Sequence, residues 1–125
     1  MEVHELKTKL LVVDDDESVR TCLKRYLSKD FDVCAASDGK KALGLYEVHK
    51  PKIIITDLAM PIMNGDQLCR EIRKLDLDCK IFAMSGCNNR LTNSSQINIG
   101  FTDFITKPFE LAKILSLMKE VEAEL

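Results

Sequence analysis

Three consecutive aspartates, Asp14, Asp15 and Asp16, follow directly on the aliphatic run Leu10-Leu11-Val12-Val13, and a fourth, Asp57, follows Ile53-Ile54-Ile55-Thr56. Carboxylates gathered in one place repel one another, so at neutral pH they need a proton or a cation. An all-oxygen donor set suits a hard ion, Mg2+ ahead of Zn2+. Such an ion commonly keeps several waters and takes one or two carboxylates beside a phosphate oxygen. Two further apolar runs end on groups suited to a phosphate. Lys80-Ile81-Phe82-Ala83-Met84 stops at Ser85, a hydrogen-bond donor, and Thr102-Asp103-Phe104-Ile105-Thr106 stops at Lys107, a point charge. Phosphoryl transfer asks mainly for positioning and charge neutralisation, and an aspartate carboxylate can itself be the nucleophile, forming an aspartyl-phosphate.

Each residue also has a plainer reading. Asp16, just past a strand, is more readily a helix N-cap than a ligand. Ser85-Gly86 alone is a turn, and Lys107-Pro108 alone is a solvated lysine ahead of a helix. Asp57 resists dismissal, because a charge abutting a buried strand is costly without a partner. Joint placement at successive strand ends is what sets chance aside.

The elements that position these groups follow from periodicity. After the first acids, Val19, Cys22, Leu23, Tyr26 and Leu27 recur at the spacing of an amphipathic helix. A strand is predicted over 31–35, and Ser37-Asp38-Gly39 caps a second helix with Ala42, Leu45, Tyr46 and His49 inward, closed by Pro51. A third strand over 53–56 and the loop 60–65 lead to a helix with Leu68, Cys69, Ile72 and Leu75 inside. Strands over 80–84 and 102–106 flank the polar stretch 88–100, whose helical pattern is the faintest, and a last helix begins near Glu110 with Leu111, Ile114, Leu115, Met118 and Val121 inside. Strands alternating with helices, and strands apolar on both faces, predict an α/β doubly wound parallel sheet with helices on both sides. Ligands of such sheets sit beyond the carboxyl ends of the strands, which is where the acids, Ser85 and Lys107 fall.

The 125 residues allow one domain, and 46% hydrophobic with 30% charged residues is an ordinary globular mixture. Eighteen basic against 20 acidic residues, net charge −2, exclude a broadly basic nucleic-acid or membrane-surface binder. The aliphatic runs fall far short of the roughly 20 residues of a membrane span, and MEVHELKTKL carries no secretory apolar core. A cytoplasmic domain is expected, with its five cysteines reduced: none forms a CxxC pair, and Cys22, Cys34 and Cys69 fall within apolar patterns.

With these residues in view, the chain resembles the response-regulator receiver domains of two-component signalling over essentially its whole length, from Leu10 to the final helix. LLVVDDDE, IIITDLAMPIMNG, AMSG and DFITKPF carry the resemblance. It implies a flavodoxin-like (βα)5 fold with strand order 2-1-3-4-5, which sets the first and third strands side by side. Carried over by position, Asp57 resembles the phosphoacceptor. Asp15 and Asp57 would bind Mg2+ directly with the backbone carbonyl of Ala59, and Asp14 at least partly through water. Lys107 would contact the phosphoryl group and, before phosphorylation, the Asp57 carboxylate. Ser85 matches the hydroxyl and Phe104 the aromatic switch position, Ser85 turning toward the phosphoryl group and Phe104 moving into the vacated space. Without a phenolic hydroxyl, that movement must be driven by burial. Asp16 returns to capping. Ala59 and Cys87, beside the phosphorylation site, are small and uncharged, and Lys107-Pro108 matches the family's cis-proline site.

The resemblance further implies a sensor histidine kinase or phosphotransfer protein as donor and a separate protein target docking on residues 88–125. It implies no enzymatic activity beyond the domain's own phosphotransfer and dephosphorylation, and neither direct nucleic-acid contact nor membrane insertion. A phosphorylation-dependent dimer through the final helices stays open. One receiver domain over 1–125, core about 8–125, leaves no output domain within this chain, which is then a stand-alone regulator or a receiver excised from a larger protein. Two alternatives compete. Asp14-x-Asp16 resembles the nucleophile motif of haloacid-dehalogenase-type phosphatases, which would make Asp14 the phosphorylated residue, although the acidic pair expected after the lysine is replaced by Pro108-Phe109. The other is a receiver-like module that binds partners without phosphorylation. No GxxxxGK or GxGxxG loop supports a nucleotide pocket.

Overall fold

The aliphatic runs become strands because Val and Ile restrict their own χ1 and pack well on a pleated surface covered from both sides. In the computed structural model, which describes residues 6–86 and 99–125, they form β1 (Lys9–Val13), β2 (Asp32–Ala36), β3 (Ile53–Asp57), β4 (Lys80–Gly86) and β5 (Asp103–Lys107). All neighbours pair in parallel, in the order β2-β1-β3-β4-β5. The described helices are α1 (Glu17–Leu27), α2 (Gly39–His49), α3 (Gly65–Leu75) and α4 (Leu111–Ala123). The predicted fold class and strand order are those observed. The helical segment expected over 88–100 falls mostly outside the described residues, as does Cys87.

Strand side chains alternate between two cores. Leu10, Val12, Ile53, Ile55, Phe82 and Met84 pack with Leu23 and Leu27 of α1 and Ile114 and Met118 of α4. Leu11, Val13, Ile54, Ile81 and Ala83 pack with Ala42 and Tyr46 of α2 and Leu68, Cys69 and Ile72 of α3. Several predicted inward positions lie instead at the borders of their helices. Cys22 is exposed, Tyr26 is at the surface, and Leu75 is exposed. A helix buries only a stripe about 100° wide, and on α1 that stripe centres on Leu23 and Leu27. The free thiols of Cys69 and Cys79 are buried, and that of Cys34 is half-buried. Burial pushes Cys69 up to about 11 and Cys79 up to about 12, so both are inert thiols.

Helix starts are marked as the sequence suggests. Asp38 caps α2 through the Lys41 N–H, and Asp16 caps α1 through the Ser18 N–H. Asn64 and Gln67 form a reciprocal capping box on α3. The loop before Asn64 is less comfortable, because Ile62 holds φ +70° with its side chain 75% exposed. A β-branched residue in the left-handed region is strained, by about 1–3 kcal/mol. Since little burial is lost, Ile62→Gly is expected to raise unfolding stability by about 1 kcal/mol. A denaturant titration reads this directly, and a variant less stable than wild type would contradict it.

Candidate functional site

The sheet register brings the acids together. Val13 lies opposite Thr56, so the next residues of β1 and β3, Asp14 and Asp57, emerge side by side at the carboxyl edge. Asp57 lies opposite Met84, one residue before Ser85, and Ser85 lies opposite Thr106, one residue before Lys107. Carboxylate oxygens of Asp14, Asp15 and Asp57 all lie within 4.8 Å of one another. Lys107, on the far strand, hydrogen-bonds Asp14 Oδ2 at 2.9 Å and ion-pairs with Asp57 Oδ2 at 3.4 Å. The lysine expected to contact Asp57 therefore does so, but its shorter bond goes to Asp14.

Burial differs sharply among the acids. Asp14 is fully buried, Asp57 is half-buried and Asp15 is exposed. Asp14 survives burial because both carboxylate oxygens accept hydrogen bonds, Oδ1 from the Asp16 N–H at 2.9 Å and Oδ2 from Lys107. Its backbone is held as well, N–H to the Ala36 carbonyl and carbonyl to Arg20 Nη1. Asp57 Oδ1 accepts from the Leu58 N–H at 2.8 Å. The Asp57 carbonyl accepts from the buried Thr56 hydroxyl, and Gly65 passes so close that a Cβ there would lie 2.4 Å from that oxygen. Ser85 is buried, and Phe104 is half-buried with its ring edge-on to Phe101 at 5.7 Å between centroids. Ala59 is exposed, two residues past Asp57. The Lys107–Pro108 bond is cis.

Burial, and then the negative charge of Asp14, push the Asp57 carboxyl above the ordinary carboxylate range, against the opposing pull of Lys107. For Lys107 burial works against the charge, but the hydrogen bond and charge of Asp14, with Asp57, outweigh it and hold the ammonium above the usual lysine value. The sign of the stability effect follows. Native Asp57 binds its proton more tightly than unfolded Asp57, so its favourable contribution is complete below the unfolded value and is lost as pH rises through the raised native one. At pH 7 without divalent cations, Asp57→Asn should melt at a higher temperature than wild type. The gap should close as the pH falls below about 4. Equal melting temperatures at pH 7 would contradict it.

The donor set fits Mg2+. All three side chains offer oxygen, and around an ion with bonds of 2.0–2.1 Å opposite ligands stand at most about 4.2 Å apart, so the carboxylates need only small inward movements. Asp14, Asp15 and Asp57 are the residues that would hold it. Sequence reasoning passed over Arg20 and gave Gly65 no role. Gly65 was within sight, in MNG; nothing in the sequence marks Arg20, since its importance lies in reaching a carbonyl six residues back.

The fold has counterparts. The Francisella response regulator 1452 receiver domain superposes with a TM-score of 0.86 at 25% identity, covering 94% of this chain and 98% of that one. The Vibrio cholerae chemotaxis response regulator CheY4 does so at 0.83 and 25%, covering 92% and 98%. In sequence the chain is 32% identical over 117 residues to the alkaline phosphatase synthesis transcriptional regulatory protein PhoP of Bacillus subtilis, covering 93% of this chain and 49% of that protein. It is 32% identical over 115 residues to the response regulator MprA of Mycolicibacterium vanbaalenii, covering 91% and 50%. The chain thus spans about half the length of these curated relatives. No described helix is long and apolar enough to cross a membrane. The family model of the response regulator receiver domain matches residues 10–119, and the chain belongs to that family of two-component signalling domains.

Proposed function

We propose that Asp57 accepts a phosphoryl group from a sensor histidine kinase or phosphotransfer protein in a Mg2+-dependent reaction, and that this switches a protein-binding face. The observation that carries the reading is the convergence of Asp14, Asp15 and Asp57 with Lys107 at one rim. The Leu58 N–H holds Asp57 Oδ1, leaving Oδ2 toward Lys107 as the attacking oxygen. A new O–P bond forms from Oδ2 while the donor's bond to phosphorus breaks, and the leaving group departs with the electron pair. Lys107 shifts from the carboxylates toward the transferred phosphoryl oxygens, and the Ser85 hydroxyl donates to one of them. Mg2+, when bound, neutralises charge shared by the carboxylates and the phosphoryl group. Phe104 then moves into the space Ser85 leaves, stabilised by burial.

The domain is regulatory, catalysing only its own phosphotransfer and dephosphorylation, and acts in the cytoplasm, as a stand-alone regulator or as the receiver of a larger one. Its partners are the donor and a downstream protein, without direct nucleic-acid contact by this domain.

Intact mass after incubation with acetyl phosphate tests this. One phosphoryl group should be gained with Mg2+, none with EDTA and none in Asp57→Asn. An adduct that persists in Asp57→Asn and vanishes in Asp14→Asn would favour phosphatase-like chemistry at Asp14. No adduct with acetyl phosphate or a phosphotransfer protein, on a folded chain, would favour binding without phosphorylation. NMR on the adduct should show the Phe104 ring displaced, and an unmoved ring would remove the switch from the proposal.

A further inference from the structure

Asp15 is the exposed member of the carboxylate cluster, and its side chain makes no hydrogen bond or ion pair among the described residues. Its position is therefore set by the backbone on either side. On one side lies the Asp14–Asp15 peptide, whose oxygen accepts from Arg20 Nη1 at 2.9 Å. On the other lies the Asp15–Asp16 peptide, whose N–H donates to Asp14 Oδ1 at 2.9 Å, just ahead of the first backbone bond of α1, from the Arg20 N–H to the carbonyl of the N-cap Asp16. The Arg20 side chain thus holds the peptide before Asp15, while the Asp14 carboxylate and the helix start hold the chain after it. The half-buried arginine lines the cleft between α1 and α2 beside Ala35, Ala36 and Ser37. Among the described residues its guanidinium has no carboxylate within ion-pair distance, so its contact is spent on a carbonyl.

We infer that Arg20 is a positioning residue for the metal-binding carboxylates, clamping the turn between β1 and α1 so that Asp14 and Asp15 are aimed at Asp57. This rests on reading the rim as a Mg2+ site. Two roles for Arg20 predict opposite signs. As a mere nearby positive charge it repels Mg2+, and its removal would tighten binding. As a clamp it preorganises ligands, and its removal weakens binding, as loss of groups that orient metal ligands commonly does.

Calorimetric titration of the folded protein with MgCl2 separates them. Arg20→Met should raise the Mg2+ Kd about 10-fold, and Arg20→Lys should recover part of the loss by returning a donor within reach of the Asp14 carbonyl. At saturating Mg2+, phosphorylation of Arg20→Met by acetyl phosphate should come back to within about twofold of wild type, a split that a general loss of stability would not give. Unchanged or tighter Mg2+ binding in folded Arg20→Met overturns the inference. A wild type that binds no Mg2+ sinks the reading of the site instead. The clamp is then judged by amide exchange, which should speed up at Asp15 and Asp16 in Arg20→Met, and unchanged exchange overturns it.

Discussion

Lys107→Met should slow phosphorylation of Asp57 by acetyl phosphate about 100-fold or more while tightening the binding of Mg2+. The first effect follows from charge at the transferring group: one preorganised donor removed from such a site typically costs about 100- to 1,000-fold. The second follows because Lys107 is the one side-chain cation among the described residues within ion-pair distance of Asp14 and Asp57. Without it the cluster is more negative and draws a divalent cation more strongly. Asp14 then loses a hydrogen bond at full burial, so the metal-free variant should also be less stable by about 1–3 kcal/mol. Mg2+ should restore much of that. Lys107→Arg keeps the charge but replaces a compact ammonium with a planar fork, and recovery should be partial. Rates from intact mass against time, with Mg2+ affinity by calorimetry, decide it. Weaker Mg2+ binding in Lys107→Met would mean that the lysine organises the acids instead of competing with the metal.

The second large effect is expected at Gly65. A Cβ there would lie 2.4 Å from the Asp57 carbonyl oxygen and 3.0 Å from Leu58 Cα, both backbone atoms that cannot swing aside. Gly65→Ala must therefore lift the start of α3, weakening the bond from the Gly65 N–H to the Leu58 carbonyl, or push the end of β3. Overpacking of this kind costs about 1–3 kcal/mol. Because the Leu58 N–H orients the Asp57 carboxylate, the nucleophile shifts too, and a misplacement near 1 Å can cost about 100-fold in rate. Gly44 supplies the contrast. It sits inside α2, and a Cβ added there would meet nothing within 4 Å, so Gly44→Ala should stabilise by about 0.5–1 kcal/mol and leave phosphorylation unchanged. Denaturant curves and uptake rates for the two variants give both comparisons. Similar effects at the two glycines would refute the close-contact account.

Much of this was legible in the residues. Unbroken aliphatic runs specified strands covered on both sides, and acids, a serine and a lysine at the ends of those runs specified a polar rim. Those inferences depend on local periodicity and on covalent order, which sequence carries completely. Asp38 and Asp16 as caps are equally local, because an N-cap bonds to an amide two or three residues on. Inward faces were less secure. Cys22, Tyr26 and Leu75 fit the apolar spacing yet lie at the surface, since periodicity gives a helix's apolar side but not how far the neighbouring elements extend over it.

The family resemblance implied that the acids and Lys107 meet; tertiary structure alone decided at what distances and through which atoms. Parallel register sets Asp14 beside Asp57 although α1, β2 and α2 separate them along the chain, and Lys107 reaches Asp14 from the far edge of the sheet. Whether the lysine's shorter bond went to Asp57 or Asp14 turned on a difference between 2.9 Å and 3.4 Å, which no spacing rule contains. The same holds for Gly65 against the Asp57 carbonyl and for Arg20 on the Asp14 carbonyl. Residue types set the chemistry available at the rim; distances between strand ends, fixed only when the sheet closes, set which atoms carry it out.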